Sequence, residues 1–95
     1  MNIDKIEEAK IRKLTENLEL HPVLKSSNVR GMAYDENNKI MVVGFGNKED
    51  GIKSKYAYTN VDKNTFDTIT HSNGIGKKLS ELVIKRKDLY KYIKL

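Results

Sequence analysis

The sequence predicts an α+β domain: an N-terminal helix, a three- or four-stranded antiparallel sheet, and two C-terminal helices packed on one face of that sheet. Three observations carry this. Apolar residues recur at helical spacing in the first and last thirds of the chain. Between them lie runs dense in β-branched and aromatic residues, broken by turn formers. The length, 95 residues, suits one domain. With 38% hydrophobic and 33% charged residues, the chain can build one modest core, and a domain this small buries a smaller share of its surface than a large one. The chain divides into residues 1–24, an acidic amphipathic helix, and residues 25–95, the α+β domain proper.

Taken in order, Asp4 and Glu7 have the spacing of a capping box at the start of the first helix. Ile11, Leu14 and Leu18 form its apolar stripe, with Ile3 nearby. His21-Pro22 stops it, because the residue before proline is pushed out of the α region. The helix either docks on the domain or binds a partner. Val29–Tyr34 reads as the first strand, and Asp35-Glu36-Asn37-Asn38 as the turn that follows. Lys39–Phe45 reads as a central strand covered on both faces, since its apolar run is nearly continuous. Gly46–Gly51 reads as a loop, and Lys53–Asn60 as the third strand, with Tyr56 and Tyr58 on one face. Asp62 caps a short helix that places Phe66 and Ile69 together. His71-Ser72-Asn73-Gly74 ends it, with Gly74 suited to a left-handed cap and His71 placed to interact with the last carbonyls. Ile75, Leu79, Leu82 and Val83 form the stripe of the next helix, where Glu81 and Lys85 have the spacing of a favourable pair. Leu89–Leu95 alternates and suits a short final strand.

Charge is uneven. The net charge is +5; residues 1–24 carry −1, residues 25–76 carry +1, and residues 77–95 carry +5. The excess is Lys77, Lys78, Lys85, Arg86, Lys87, Lys91 and Lys94. A local basic surface attracts polyanions through its potential and through counterion release; a solvated helix face would show the same run. The absence of cysteine excludes a disulfide scaffold, a thiol nucleophile and cysteine-ligated metal. The longest apolar run, Ile40–Phe45, is far short of the roughly 20 residues of a membrane span, and the first residues hold no apolar secretory segment. The expectation is a soluble, cytoplasmic protein that engages no membrane.

From Ser26 onward the order of features resembles the KTSC domain, a family named for its place at the C-terminus of some lysyl-tRNA synthetases and also found free-standing in bacteria and phages. The matching residues are Ser26-Ser27, Tyr34-Asp35, Val43-Gly44-Phe45, Tyr56-Ala57-Tyr58, Val61, Phe66, Ser72-Asn73-Gly74 and Tyr90-Lys91-Tyr92. The sequence departs from the pattern in a longer loop at Gly46–Lys53, in Asp62 where a proline is usual, in a long stretch between Ile84 and Tyr90, and in the added N-terminal helix. The resemblance implies a fold and no established activity; RNA binding is suggested by the synthetase context.

Locally, Gly74-Ile75-Gly76-Lys77-Lys78-Leu79-Ser80 is similar to the hairpin of the helix-hairpin-helix motif, in which turn amides and the following helix N-terminus hold a phosphate. Ser80 replaces the usual small alanine, and Asn73 the proline. The same Gly-x-Gly also serves as an ordinary helix cap.

Two arrangements are open for Tyr56 and Tyr58: a stacking platform for bases, or inward packing against the C-terminal helix. His21 and His71 lack a recognisable partner for acid–base or metal chemistry. No Ser-His-Asp set, paired carboxylates or complete phosphate loop of an NTPase is legible. The expectation is therefore a non-catalytic binding module that needs no cofactor or metal. The sequence favours nucleic acid, with RNA ahead of duplex DNA: Gly74, Gly76, Lys77 and Lys78 hold phosphates, Lys85, Arg86 and Lys87 extend the track, and an exposed Tyr56 or Tyr58 stacks a base. The alternatives are a phage-encoded interaction module or inhibitor of a host defence protein and, behind it, a small-nucleotide-binding protein. A free sheet edge allows either a monomer or an edge-paired homodimer.

Overall fold

A computed structural model of the chain describes residues 3–95. Five strands form one antiparallel meander in the order β1-β2-β3-β4-β5: His21–Pro22, Val29–Asp35, Ile40–Asn47, Gly51–Tyr58 and Tyr92–Lys94. The sheet thus has more strands than the three or four expected. The extra strand at the β2 edge is β1, where His21 lies opposite Met32 and Pro22 opposite Gly31. Proline is tolerated on an edge strand because its missing N–H costs no ladder bond on the open side.

Helix α1 spans Lys5–Thr15 and begins as expected, with the Asp4 carboxylate accepting from the Glu7 amide at 2.8 Å. It stops well before His21-Pro22. Thr15 bonds its hydroxyl back to the Ile11 carbonyl at 2.8 Å, a habit of Ser and Thr that bends helices, and Leu18 N–H closes on Thr15 O at 3.1 Å. Leu18 and Leu20 still reach the sheet from this turn.

Alternation sorts the sheet into two faces. On the front lie Met32, Tyr34, Met41, Val43, Tyr56 and Tyr58, packed against α2 (Lys63–Thr70), α3 (Ile75–Leu79) and the π-helical turn Ser80–Ile84 that continues α3. On the back, Ala33, Ile40, Val42, Ala57 and Ile93 pack against Ile11, Leu14, Leu18 and Leu20. β3 is central and covered on both faces, as its sequence implied. Gly31 and Gly44, partners across β2 and β3, leave room for Leu20; a Cβ on either would come within 3.0 Å of its side chain.

Half of the expected loop from Gly46 to Gly51 is strand, and the turn is confined to residues 48–50. β3 runs on to Asn47 and β4 starts at Gly51, with an irregular register between Phe45 and Gly46. A Cβ on Gly46 would fall 1.8 Å from Gly51 O, so only glycine lets the two strands pass there. The remaining turn is pinned by Asp50 N–H to Asn47 Oδ1 at 2.6 Å and a Lys53–Asp50 ion pair at 3.3 Å. In the β2–β3 turn, Asn38 donates to the Asp35 carboxylate from both its amide N–H and its side chain, and Lys39 takes the positive φ.

Asp62 caps α2, accepting from Thr65 N–H at 2.8 Å. Those bonds hold its carboxyl below the usual carboxylate range. Gly74 does not adopt the expected left-handed cap: its φ is −133° and it serves as the N-cap of α3. α2 ends on His71 itself, whose backbone N–H donates to Asp67 O at 3.0 Å while the next N–H, of Ser72, donates to Ile69 O at 3.2 Å; the His71 ring nitrogen Nδ1 also lies 2.8 Å from Asp67 O. The expected Glu81–Lys85 pair is replaced by a wider turn. Lys85 N–H bonds to Ser80 O five residues back, and this π geometry rotates the pair out of the i,i+4 register. Among the described residues, no helix is long and apolar enough to cross a membrane.

Candidate functional site

The expected site residues fall into two groups at opposite ends of α3 and its π-helical continuation. Lys78 and Lys85, seven residues apart along this segment, stand roughly 10 Å apart at about 1.5 Å per residue.

The first group is Gly74, Gly76, Lys77 and Lys78. Gly76 lies against the loop before β2, where a Cβ would approach Asn28 Oδ1 to 2.8 Å. That loop is folded on Ser26, whose buried hydroxyl accepts from Val29 N–H at 3.1 Å and Asn28 N–H at 3.4 Å. Arg30 donates to Ser26 O. A shallow cavity of about 440 Å³ lies between Lys25, Ser26, Asn28, Gly74, Gly76 and Lys77. The close fit of Gly76 on Asn28 gives this glycine a packing role that needs no phosphate.

The second group gathers at the other end. Phe45, Tyr56, Tyr58 and Tyr92 form one aromatic cluster, with ring centroids 5.8–6.4 Å apart. Tyr58 is 6% exposed and lies under the C-terminal helical segment, so it offers no surface platform; the inward arrangement is the one found. Its hydroxyl has no protein hydrogen-bond partner among the described residues. Burial, then the neighbouring Tyr56 and Tyr92, push its pKa up to about 12. Tyr56 is half-buried and Tyr92 is 43% exposed. A cavity of about 210 Å³ opens here, lined by Tyr56, Tyr58, Val83, Lys87, Tyr90 and Tyr92. Lys85 and Arg86 stand exposed beside it in sequence, at the end of the π turn.

Tyr90, Tyr92 and Lys94 complete this site and were not among the expected site residues. Pairing brings them in: β5 places Tyr92 opposite Tyr58 and Lys94 opposite Tyr56, so their side chains share the front face. The signal in the sequence was the alternation of Tyr90-Lys91-Tyr92, legible as a strand but silent about its neighbour.

Electrostatics follow the same division. Ion pairs among the described residues engage Arg12, Lys13, Lys53 and Lys63. None engages Lys77, Lys78, Lys85, Arg86, Lys87, Lys91 or Lys94. A cavity of about 620 Å³ lies away from this charge between the chain after β1 and α2, lined by His21, Val23, Leu24, Phe66, His71 and Ile75 among others. No cluster of three or more His, Asp or Glu side chains suited to a metal is found among the described residues.

The fold and its aromatic, basic end define a small α+β domain built on an antiparallel meander with helices on both faces. Its architecture is that of a KTSC domain. The chain is similar to the crystal structure of a KTSC domain protein from Yersinia pestis, with a TM-score of 0.64 and 24% identity over 82% of this chain and 97% of that one. No family model matches the chain, and no curated protein does. The residues that carried the resemblance now have physical roles. Ser26 closes the turn into β2. Tyr34 stacks on Phe66 at 4.8 Å and donates to Val61 O at 2.6 Å. Tyr56, Tyr58 and Tyr92 build the aromatic cluster.

Proposed function

We propose that the chain is a non-catalytic nucleic-acid-binding module that favours single-stranded RNA over duplex DNA. The observation that carries this reading is the set of seven basic side chains in residues 77–95 without a carboxylate partner among the described residues. Unpaired surface cations can replace the counterions of a phosphate backbone without first breaking an ion pair. Lys85, Arg86 and Lys87 supply a track at one end of the helix, and Lys77 and Lys78 a second foothold at the other. The aromatic end favours single strands, whose unstacked bases are free to meet tyrosine rings.

The test is binding to labelled single-stranded RNA, single-stranded DNA and duplex DNA at two salt concentrations, with an unrelated basic domain as control. The reading expects salt-dependent binding that prefers RNA. The triple change K85Q/R86Q/K87Q should weaken it and reduce the salt slope by about 0.7 for each phosphate no longer neutralised. K77Q/K78Q should do the same at the other end. Binding no tighter than the control for every polymer overturns the reading.

A second reading has its own observation. Ile6 is 86% exposed on α1 and Leu24 79% exposed at the 620 Å³ groove. Such apolar side chains suit a protein-interaction module, including an inhibitor of a host defence protein. Loss of capture of a protein partner in Ile6→Glu or Leu24→Glu, with nucleic-acid binding absent, would favour it.

A further inference from the structure

We infer that the cavity between the aromatic face of the sheet and the end of the π-helical turn is a pocket for one unstacked nucleobase, with the adjoining phosphates held by Lys87 and Lys94. This deepens the nucleic-acid reading and rests on it.

Four observations converge. The cavity of about 210 Å³ is smaller than the roughly 300–1,000 Å³ of pockets for drug-sized ligands, a size for one planar ring system. Its walls are largely tyrosine rings, and three of them, Tyr56, Tyr90 and Tyr92, keep exposed area; Tyr56 and Tyr92 are in direct contact. The Tyr56 and Tyr92 rings already sit 5.9 Å apart, within the range of direct ring–ring packing. A base therefore cannot slip between them and must lie against them from the cavity side. Third, Tyr58 is more than nine-tenths buried, lines the cavity and has a hydroxyl without a protein partner. That hydroxyl is not sealed from solvent, and the edge of a base carries donors and acceptors that can bond it. Fourth, charge stands where the phosphates of such a base would lie. Lys87 lines the cavity, and Lys94 shares a cross-strand pair with Tyr56.

Other occupants fit less well. A methylated ammonium prefers an aromatic cage, but Lys87 on the wall repels it. An aliphatic side chain fills the space and leaves the Tyr58 hydroxyl unpaired and the lysines unused.

The test compares a short oligouridine with the same ribose-phosphate chain lacking its bases, on the full-length protein. Oligouridine should bind about 10-fold more tightly, within the range measured for stacking one base on an aromatic ring. Tyr92→Ala, an exposed position, should lose that advantage while keeping the salt slope. Lys87→Gln should keep the advantage and lower the slope. Tyr58→Phe preserves the ring and should narrow the gap between the two oligomers without loss of fold. Equal binding of both oligomers, or an unchanged preference in Tyr92→Ala, overturns the pocket while leaving the phosphate track standing. If neither oligomer binds even at low salt, the pocket and the nucleic-acid reading fall together.

Discussion

The two faces of the sheet are covered in different ways. The front carries Met32, Met41 and Val43, each 2% exposed or less, under Ile69, Leu79 and Val83. The back carries Ala33, Ala57, Gly31 and Gly44, small residues that let Leu20 and α1 approach, and α1 contributes Ile11 as its buried apolar anchor. Adjacent residues of one strand divide between them: Met41 and Val43 face front, Ile40 and Val42 face back. Stability should therefore be concentrated in front, with the back helix an attached cover. The difference also explains where the candidate site sits. Large rings belong on the front face, and where the helical segment ends the outer rings stay open.

Truncations measure that contrast most directly. Leu79→Ala, at the centre of the front core, should cost about 4 kcal/mol in urea unfolding, toward the upper end for buried leucine. A loss under about 1 kcal/mol would show that the front is loosely packed. Ile11→Ala, the matching change behind, should cost about 2 kcal/mol. Equal losses at the two sites would break the comparison. Asp4→Ala removes the cap of α1 and should cost about 1 kcal/mol, with less helical signal and unchanged tyrosine fluorescence. A changed tyrosine signal would mean that the two faces are coupled. The smallest effect is spectroscopic. Of five tyrosines, Tyr58 should ionise last, near pH 12. Its pKa is raised in the folded state, so its contribution is complete below the unfolded value near 10 and is lost as pH rises toward 12. Tyr58→Phe should flatten that alkaline loss; an unchanged profile would place the burial of this ring in doubt.

Much of the fold was legible because its rules are local. Asp4 and Asp62 announce their helices by side-chain capping, and Asp35 with Asn38 announces its turn. β3 reads as central because both of its alternating sets are apolar. What was not legible depended on partners distant in the chain. His21-Pro22 looks like a helix stop and becomes a strand only because Gly31 and Met32 lie beside it. Gly74 looks like a left-handed cap, yet α2 closes on His71 and leaves Gly74 to begin the next helix. The π turn at Ser80–Ile84 hides in a sequence whose apolar residues suit an α-helix equally. The candidate site was half visible for the same reason. Tyr56 and Lys87 stand out by composition, whereas Tyr92 and Lys94 join them through a strand pairing that composition does not reveal.

That pairing has a kinetic consequence. Each of the first four strands meets its neighbour across a short connection, and such local pairings form early. β5 must wait for the whole helical segment to be laid down before Tyr92 finds Tyr58, so this closure comes late. Its hold is short: three paired residues, the Thr59 and Leu95 amides bonded to Lys91 O and Lys55 O, and the Arg12 guanidinium on Lys94 O at 2.8 Å. A strand held by so few bonds opens at low cost. The tyrosine-lined cavity is thus among the last features to be assembled and among the first to open, and an occupant of it would slow amide exchange in Tyr92–Lys94 before anywhere else.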